Sequence, residues 1–139
     1  MAPDDHKLAV EVLTPEGEVY SGEIVQLSTR TTVGEIGILA NHAPLLAALK
    51  PCELRLHVSE SETLRWAQAH GWLQVFANQA LVLVEEAIPP DQLDTGQCRE
   101  QISEAEQRLG ESEEGSAAEA RAQRDKERAE AFLSVAESR

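Results

Sequence analysis

Apolar and polar positions alternate in short runs along the first two thirds of the chain. Leu8-Ala9-Val10-Glu11-Val12-Leu13 reads as a strand, Thr14-Pro15-Glu16-Gly17 as a turn and Glu18-Val19-Tyr20 as the returning strand. Ser21-Gly22 predicts a second turn, and Glu23 to Thr29, with Ile24, Val25 and Leu27, a third strand; three strands on tight turns suggest an antiparallel meander. Glu53 to Val58, Thr63 to Ala67, Gly71 to Phe76 and Ala80 to Val84 continue the pattern, separated by polar or glycine-bearing turns. Regularly spaced short strands favour a sandwich or barrel.

Between Thr31 and Leu49 the alternation breaks. Gly34 and Gly37, with Pro44 among Ile36, Ile38, Leu39, Leu45 and Leu46, predict a tight loop with short strands and exclude a helix. An irregular segment of this length in a small domain reads equally well as a binding surface or as a crossover that closes the sandwich.

After Pro89-Pro90-Asp91 the period becomes helical. Cys98, Ile102, Ala105 and Leu109 fall on one stripe, Gly110 to Gly115 interrupts it, and Ala118, Ala122, Ala129, Phe132 and Ala136 form a second stripe with Asp125 in a place an apolar residue would fill. The small residues allow close packing of two antiparallel helices but bury little area, so the predicted hairpin is weakly docked. The units read from the chain are residues 1–88 and 89–139.

Composition sharpens this boundary. Four of the six prolines and both tryptophans lie on its N-terminal side, the Pro89-Pro90 pair marks it, and no proline follows. The net charge of −13 and the lack of a Lys/Arg footprint exclude nucleic-acid binding as a function. Nothing like a secretory leader precedes the first apolar run, and no apolar run is long enough to cross a bilayer; the expectation is a cytosolic protein with free thiols at Cys52 and Cys98, inserted in no membrane.

No reactive template is present. The chain lacks a phosphate-cradling loop ending in Gly-Lys-Ser/Thr, a nucleophile elbow and a zinc-type Cys/His pair, and its histidines (His6, His42, His57, His70) are scattered singly, so neither a catalytic residue nor a metal ligand is assigned. Glu60, Glu62, Glu111, Glu113 and Glu114 read as solvated turn residues, and Trp66 and Trp72 as sandwich core.

Several motifs occur in a recognisable order: Thr14-Pro15-Glu16-Gly17-Glu18-Val19-Tyr20-Ser21-Gly22, Gly34-Glu35-Ile36-Gly37-Ile38-Leu39, Asn41-His42-Ala43-Pro44-Leu45-Leu46, Leu49-Lys50-Pro51 and His70-Gly71-Trp72-Leu73-Gln74-Val75. Together they resemble the epsilon subunit of bacterial F-type ATP synthases, closely as far as Ile88 and more loosely beyond. The departures are Ala40 and Cys52, where the family usually has proline and glycine, and Arg30, near a frequent proline.

The resemblance implies a β-sandwich of about ten short strands followed by an α-helical hairpin, in a non-catalytic rotor subunit on the cytoplasmic face of the plasma membrane. Its implied partners are the gamma subunit and the c-subunit ring, with Gly34, Glu35, Ile36 and Gly37 as the turn that meets the ring and His42 beside it. It also implies a tail that permits turnover when folded down and blocks ATP hydrolysis when extended.

Some members bind ATP between the two helices. Here Leu93-Asp94 and Arg128 match that pattern, but Gln97-Cys98 replaces Arg-Ala and Phe132 replaces a basic residue, so the donors for a triphosphate are depleted and no cofactor is expected. Arg121, Arg124 and Lys126, with Arg128, read either as contacts to the catalytic alpha and beta subunits or as a solvated helix face. The alternatives to a rotor subunit are a stand-alone ligand-binding sandwich and a nucleotide sensor.

Overall fold

The computed structural model describes residues 6–138. Ten strands precede two helices: β1 (Leu8–Thr14), β2 (Gly17–Ile24), β3 (Gln26–Thr31), β4 (Gly34–Leu39), β5 (Leu45–Leu49), β6 (Cys52–His57), β7 (Thr63–Gln68), β8 (Gly71–Phe76), β9 (Gln79–Val84) and β10 (Ala87–Ile88). A 3₁₀ turn at Pro90–Gln92 leads to α1 (Thr95–Glu111) and α2 (Ala117–Glu137).

The strands run in the order β10-β7-β6-β3-β5-β8-β9-β1-β2, with β4 on the other side of β3. The start of β3 pairs with β6, while its last residue, Thr31, pairs with Leu49 of β5. That single junction joins two layers, β10-β7-β6-β3-β4 and β5-β8-β9-β1-β2. The inward residues of both layers, including Val10, Val12, Leu27, Ile38, Leu54, Leu56, Leu73, Val75 and Val82, form one dry core, as alternation requires of stacked sheets.

Three local readings are corrected. Ser21-Gly22 lies inside β2, which runs unbroken from Gly17 to Ile24; Gly22 serves packing, since a Cβ there would sit 2.9 Å from the Tyr20 hydroxyl. Nor do the first three strands form a meander. Only β1 and β2 make a hairpin, and β3 crosses to the other layer to pair with β4 and β6. Trp72, expected in the core, is half exposed on the outer face of β8, whereas Trp66 is buried against Tyr20.

The two helices are antiparallel, since Arg99 pairs with Glu137, Arg108 with Asp125 and Lys126 with Glu106. Asp94 and Ser116 cap their N-termini by accepting from the amides of Gln97 and Glu119. Gly110 lies within α1, so the break falls after Glu111. Ala118 is exposed, and Val135 instead joins Ala122, Ala129, Phe132 and Ala136 among the buried residues of α2. Asp125 is not an interrupted core position but the carboxylate that receives Arg108 at 2.7 Å.

The hairpin is folded onto the sandwich. Leu93, Cys98, Phe132, Val135 and Ala136 pack with Ala67 and Ala69 at the end of β7 in a second apolar cluster. Phe132 is the one large side chain the helices bury completely.

Candidate docking surfaces

The segment Gly34-Glu35-Ile36-Gly37 is not a turn but the first part of strand β4, paired residue for residue with β3 from Thr31 opposite Gly34 to Gln26 opposite Leu39. The reversal is the two-residue turn Thr32-Val33. Glycine is required just after it, where φ is +135° at Gly34. The Thr31 hydroxyl donates to the Gly34 carbonyl at 3.0 Å and accepts from the Val33 amide at 3.2 Å, stiffening the tip. Val33 stands at the end, 95% exposed.

Glu35 faces Arg30 directly across this hairpin, and the Arg30 guanidinium donates to its carboxylate at 2.9 Å. Both side chains are largely in water, so the pair holds shape and contributes little stability. His42 belongs to the following loop. Asn41 takes φ of 63°, and its amide donates at 2.7 Å to the Asn78 side chain; the His42 ring nitrogen Nδ1 lies 2.6 Å from the Ala43 carbonyl. The structure therefore joins Gly34, Glu35, Ile36 and Gly37 on one strand and leaves His42 beyond its far end.

A second surface was not identified in the sequence. On the outer face of the β5-β8-β9-β1 layer, Leu46 is 68% exposed, Phe76 63%, Trp72 53% and Leu83 44%. Strand register orders them: Ala48, Trp72, Leu83 and Leu13 form one row across four strands, Leu46, Gln74, Leu81 and Glu11 the next, and Phe76, Gln79 and Ala9 the third. A groove of about 700 Å³ continues this belt past Leu13, Pro15, Ala48, Trp72 and Leu83 to His70, Glu85 and Arg124. Exposed apolar surface of this continuity marks an interaction site. The signal was in the sequence, because β8 and β9, apart from Gln74 and Gln79, are apolar on both faces and a half-solvated strand is not.

Apart from Arg121, the residues picked out in the helices are already engaged. Asp94 is a helix cap. Arg128 embraces the Glu86 carboxylate with two nitrogens, one of them at 2.8 Å, donates to Gln101 at 3.2 Å and stacks 4.3 Å above the Phe132 ring. Arg124 donates to Glu85 at 2.8 Å and Lys126 lies 3.5 Å from Glu106, whereas Arg121 is exposed on α2.

Burial raises the Cys52 thiol, only partly offset by its hydrogen bond with Thr29, and burial also raises Cys98; neither is an activated nucleophile. Burial and then the Arg124 charge lower His70 below the ordinary imidazole value, outweighing Glu127 and Glu85. Among the described residues no three His, Cys, Asp or Glu side chains gather as a metal site, and no helix is long and apolar enough to cross a membrane.

A sandwich offering a stiff hairpin tip and an apolar outer belt, with its polar clusters committed to internal pairing, defines an assembly protein. Comparison with known proteins identifies which. Residues 7–90 match the family described as ATP synthase, delta/epsilon chain, beta-sandwich domain. The ATP synthase epsilon chain of Persephonella marina is 41% identical over 91% of this chain and 94% of its own, and that of Sulfurihydrogenibium sp. 31% identical over 94% and 97%. A chain in the cryo-EM structure of the Euglena gracilis mitochondrial ATP synthase shares the fold with a TM-score of 0.80 at 18% identity, over 92% of this chain and 80% of that one. A chain of the Tetrahymena thermophila central stalk and c-ring assembly does so with a TM-score of 0.63 at 17% identity, over 92% and 95%. The chain belongs to the ATP synthase epsilon chain family, whose members are non-catalytic subunits of that complex.

Proposed function

We propose that this chain is a rotor-stalk subunit that docks on the gamma subunit through the apolar belt of β5, β8, β9 and β1 and rests on the c-subunit ring through the β3–β4 hairpin. It thereby couples ion flow to ATP synthesis, bound peripherally at the cytoplasmic face of the membrane through the complex. The carrying observation is the belt itself, in which Leu46, Trp72, Phe76 and Leu83 lie in water although the strand pattern around them is that of buried sheet. Covering such a surface with a partner recovers roughly 25 cal/mol for each Å² of apolar area removed from water. The hairpin tip suits a polar ring: Glu35 carries charge on a stiff, glycine-flanked strand that allows close backbone approach.

Co-purification tests this reading. A tagged chain should retain the gamma subunit, and Trp72→Ser with Leu83→Ser should abolish that retention while leaving the fold intact. A wild-type chain that fails to retain gamma would remove the reading.

In the same frame the docked hairpin corresponds to the form that permits turnover. Comparing ATP hydrolysis by the catalytic complex carrying the full chain with one carrying a chain that ends at Ile88 tests whether the hairpin inhibits; equal rates would end that role. We further propose that the hairpin binds no ATP, because Arg128 is occupied by Glu86 and positions 97 and 98 are Gln and Cys. Calorimetry with ATP should then be flat.

A further inference from the structure

The hairpin leans on the sandwich through few large apolar contacts, yet its arginines reach the sandwich at adjacent residues. Glu85 and Glu86 follow β9, where the chain turns toward β10. Arg124 and Arg128 are one helical turn apart on α2 and face them. The two pairs differ in kind. Arg124–Glu85 is half exposed on both sides. Arg128–Glu86 is a two-nitrogen fork with side-chain exposures of 24% and 35%, and the same guanidinium also binds Gln101 on α1 and covers Phe132. One cation therefore touches the sandwich, both helices and the largest buried side chain of the docking cluster.

We propose that Arg128 with Glu86, flanked by Arg124 with Glu85, is a charge clasp that holds the hairpin on the sandwich, so that opening it releases the helices without unfolding the strands. A planar fork on a carboxylate imposes an orientation that the small apolar contacts of Ala67, Ala69, Cys98 and Ala136 do not. The helices, stitched to each other largely by alanines and exposed ion pairs, have little to keep them ordered once they leave. This inference is independent of the stalk reading, since it concerns the isolated chain.

Cys98 is a built-in reporter, being 4% exposed within the docking cluster. The experiment uses the full chain carrying Cys52→Ser, so that Cys98 is the single thiol, and follows its labelling by the uncharged reagent N-ethylmaleimide under native conditions. Arg128→Gln and Glu86→Gln should each speed labelling by about tenfold, while tryptophan fluorescence and the unfolding midpoint of the sandwich stay unchanged. For Arg128→Gln this acceleration runs against the simple charge effect, because the Arg128 charge favours the Cys98 thiolate and its loss alone would slow the reaction.

Raising sodium chloride from about 0.05 to about 0.5 M should speed labelling of the otherwise unaltered chain and have little effect on Arg128→Gln. Unchanged labelling in both variants, acceleration accompanied by loss of the sandwich transition, or a flat salt response in the unaltered chain would each overturn the clasp.

Discussion

The two parts of this chain are held by different forces. The sandwich buries Leu, Ile and Val from both layers in one core, from Leu8 to Val84. The helices bury mostly Ala, with Cys98, Val135 and Phe132, and supplement that contact with charge pairs that include Arg128–Glu86. Large branched side chains give the strands a stability that falls only when the whole sandwich opens. Small side chains and partly solvated charges give the hairpin a contact that ionic strength and single substitutions weaken by themselves. The sandwich is thus a rigid foot and the attached hairpin is releasable.

Substitutions can break this contrast from either side, and the largest effect is expected at Gly71. A Cβ there would lie 1.9 Å from the Leu83 carbonyl oxygen, a backbone atom in the paired strand. Gly71→Ala should therefore cost about 4 kcal/mol of global stability, read as a lowered denaturant midpoint for the sandwich. An unchanged midpoint would mean that β8 and β9 move apart easily, which contradicts a rigid foot.

Next in size is Phe132→Ala, expected to cost about 3 kcal/mol, but locally. Hydrogen exchange in α1 and α2 should accelerate while β8 and β9 keep their protection. A loss shared equally by both regions would show that sandwich and hairpin form one cooperative unit.

The smallest effect concerns pH. His70 lies 3.5 Å from Glu127 of α2 and 3.9 Å from Glu85, beside Arg124, and burial lowers its pKa below the ordinary 6.5. The folded chain then binds fewer protons than the unfolded chain near that value, so stability falls as pH drops through about 6.5 and is recovered above it. The loss should vanish in His70→Asn. A separate loss follows at lower pH. Burial raises the Glu53 carboxyl, but hydrogen bonds from Arg65 and then Arg55 outweigh it and hold the group below its ordinary value. Its contribution is present above about 4.5 and is lost as pH falls beneath that.

Much of the architecture was legible because periodicity is a local property. The switch from alternating strands to a helical stripe at Pro89-Pro90 needed no tertiary information, nor did most strand positions. The errors came where a glycine sits inside a strand. Gly22 makes room for Tyr20 and Gly37 for the Gln26 side chain, so neither marks a turn. Trp72 misled for a related reason: a large aromatic residue in a strand suggests core, but only register assigns it to the outer face beside Leu83.

Among the site residues, Gly34 through Gly37 lie along a strand, Asp94 caps α1 and Arg128 pairs with Glu86. Arg128 taught the most. Its charge could be read from the sequence, but its partner Glu86 lies 42 residues away and is brought within reach only by docking.

The sequence alone determined the two kinds of structure, alternating strands followed by a helical stripe. Backbone propensity, alternation and residue inventory act within a few positions and need no knowledge of the fold. Tertiary structure alone decided which strand faces meet water, where the apolar belt runs and which carboxylates receive the arginines. Those outcomes depend on register and on contacts between segments far apart in the chain, and a one-residue shift in pairing would reverse them.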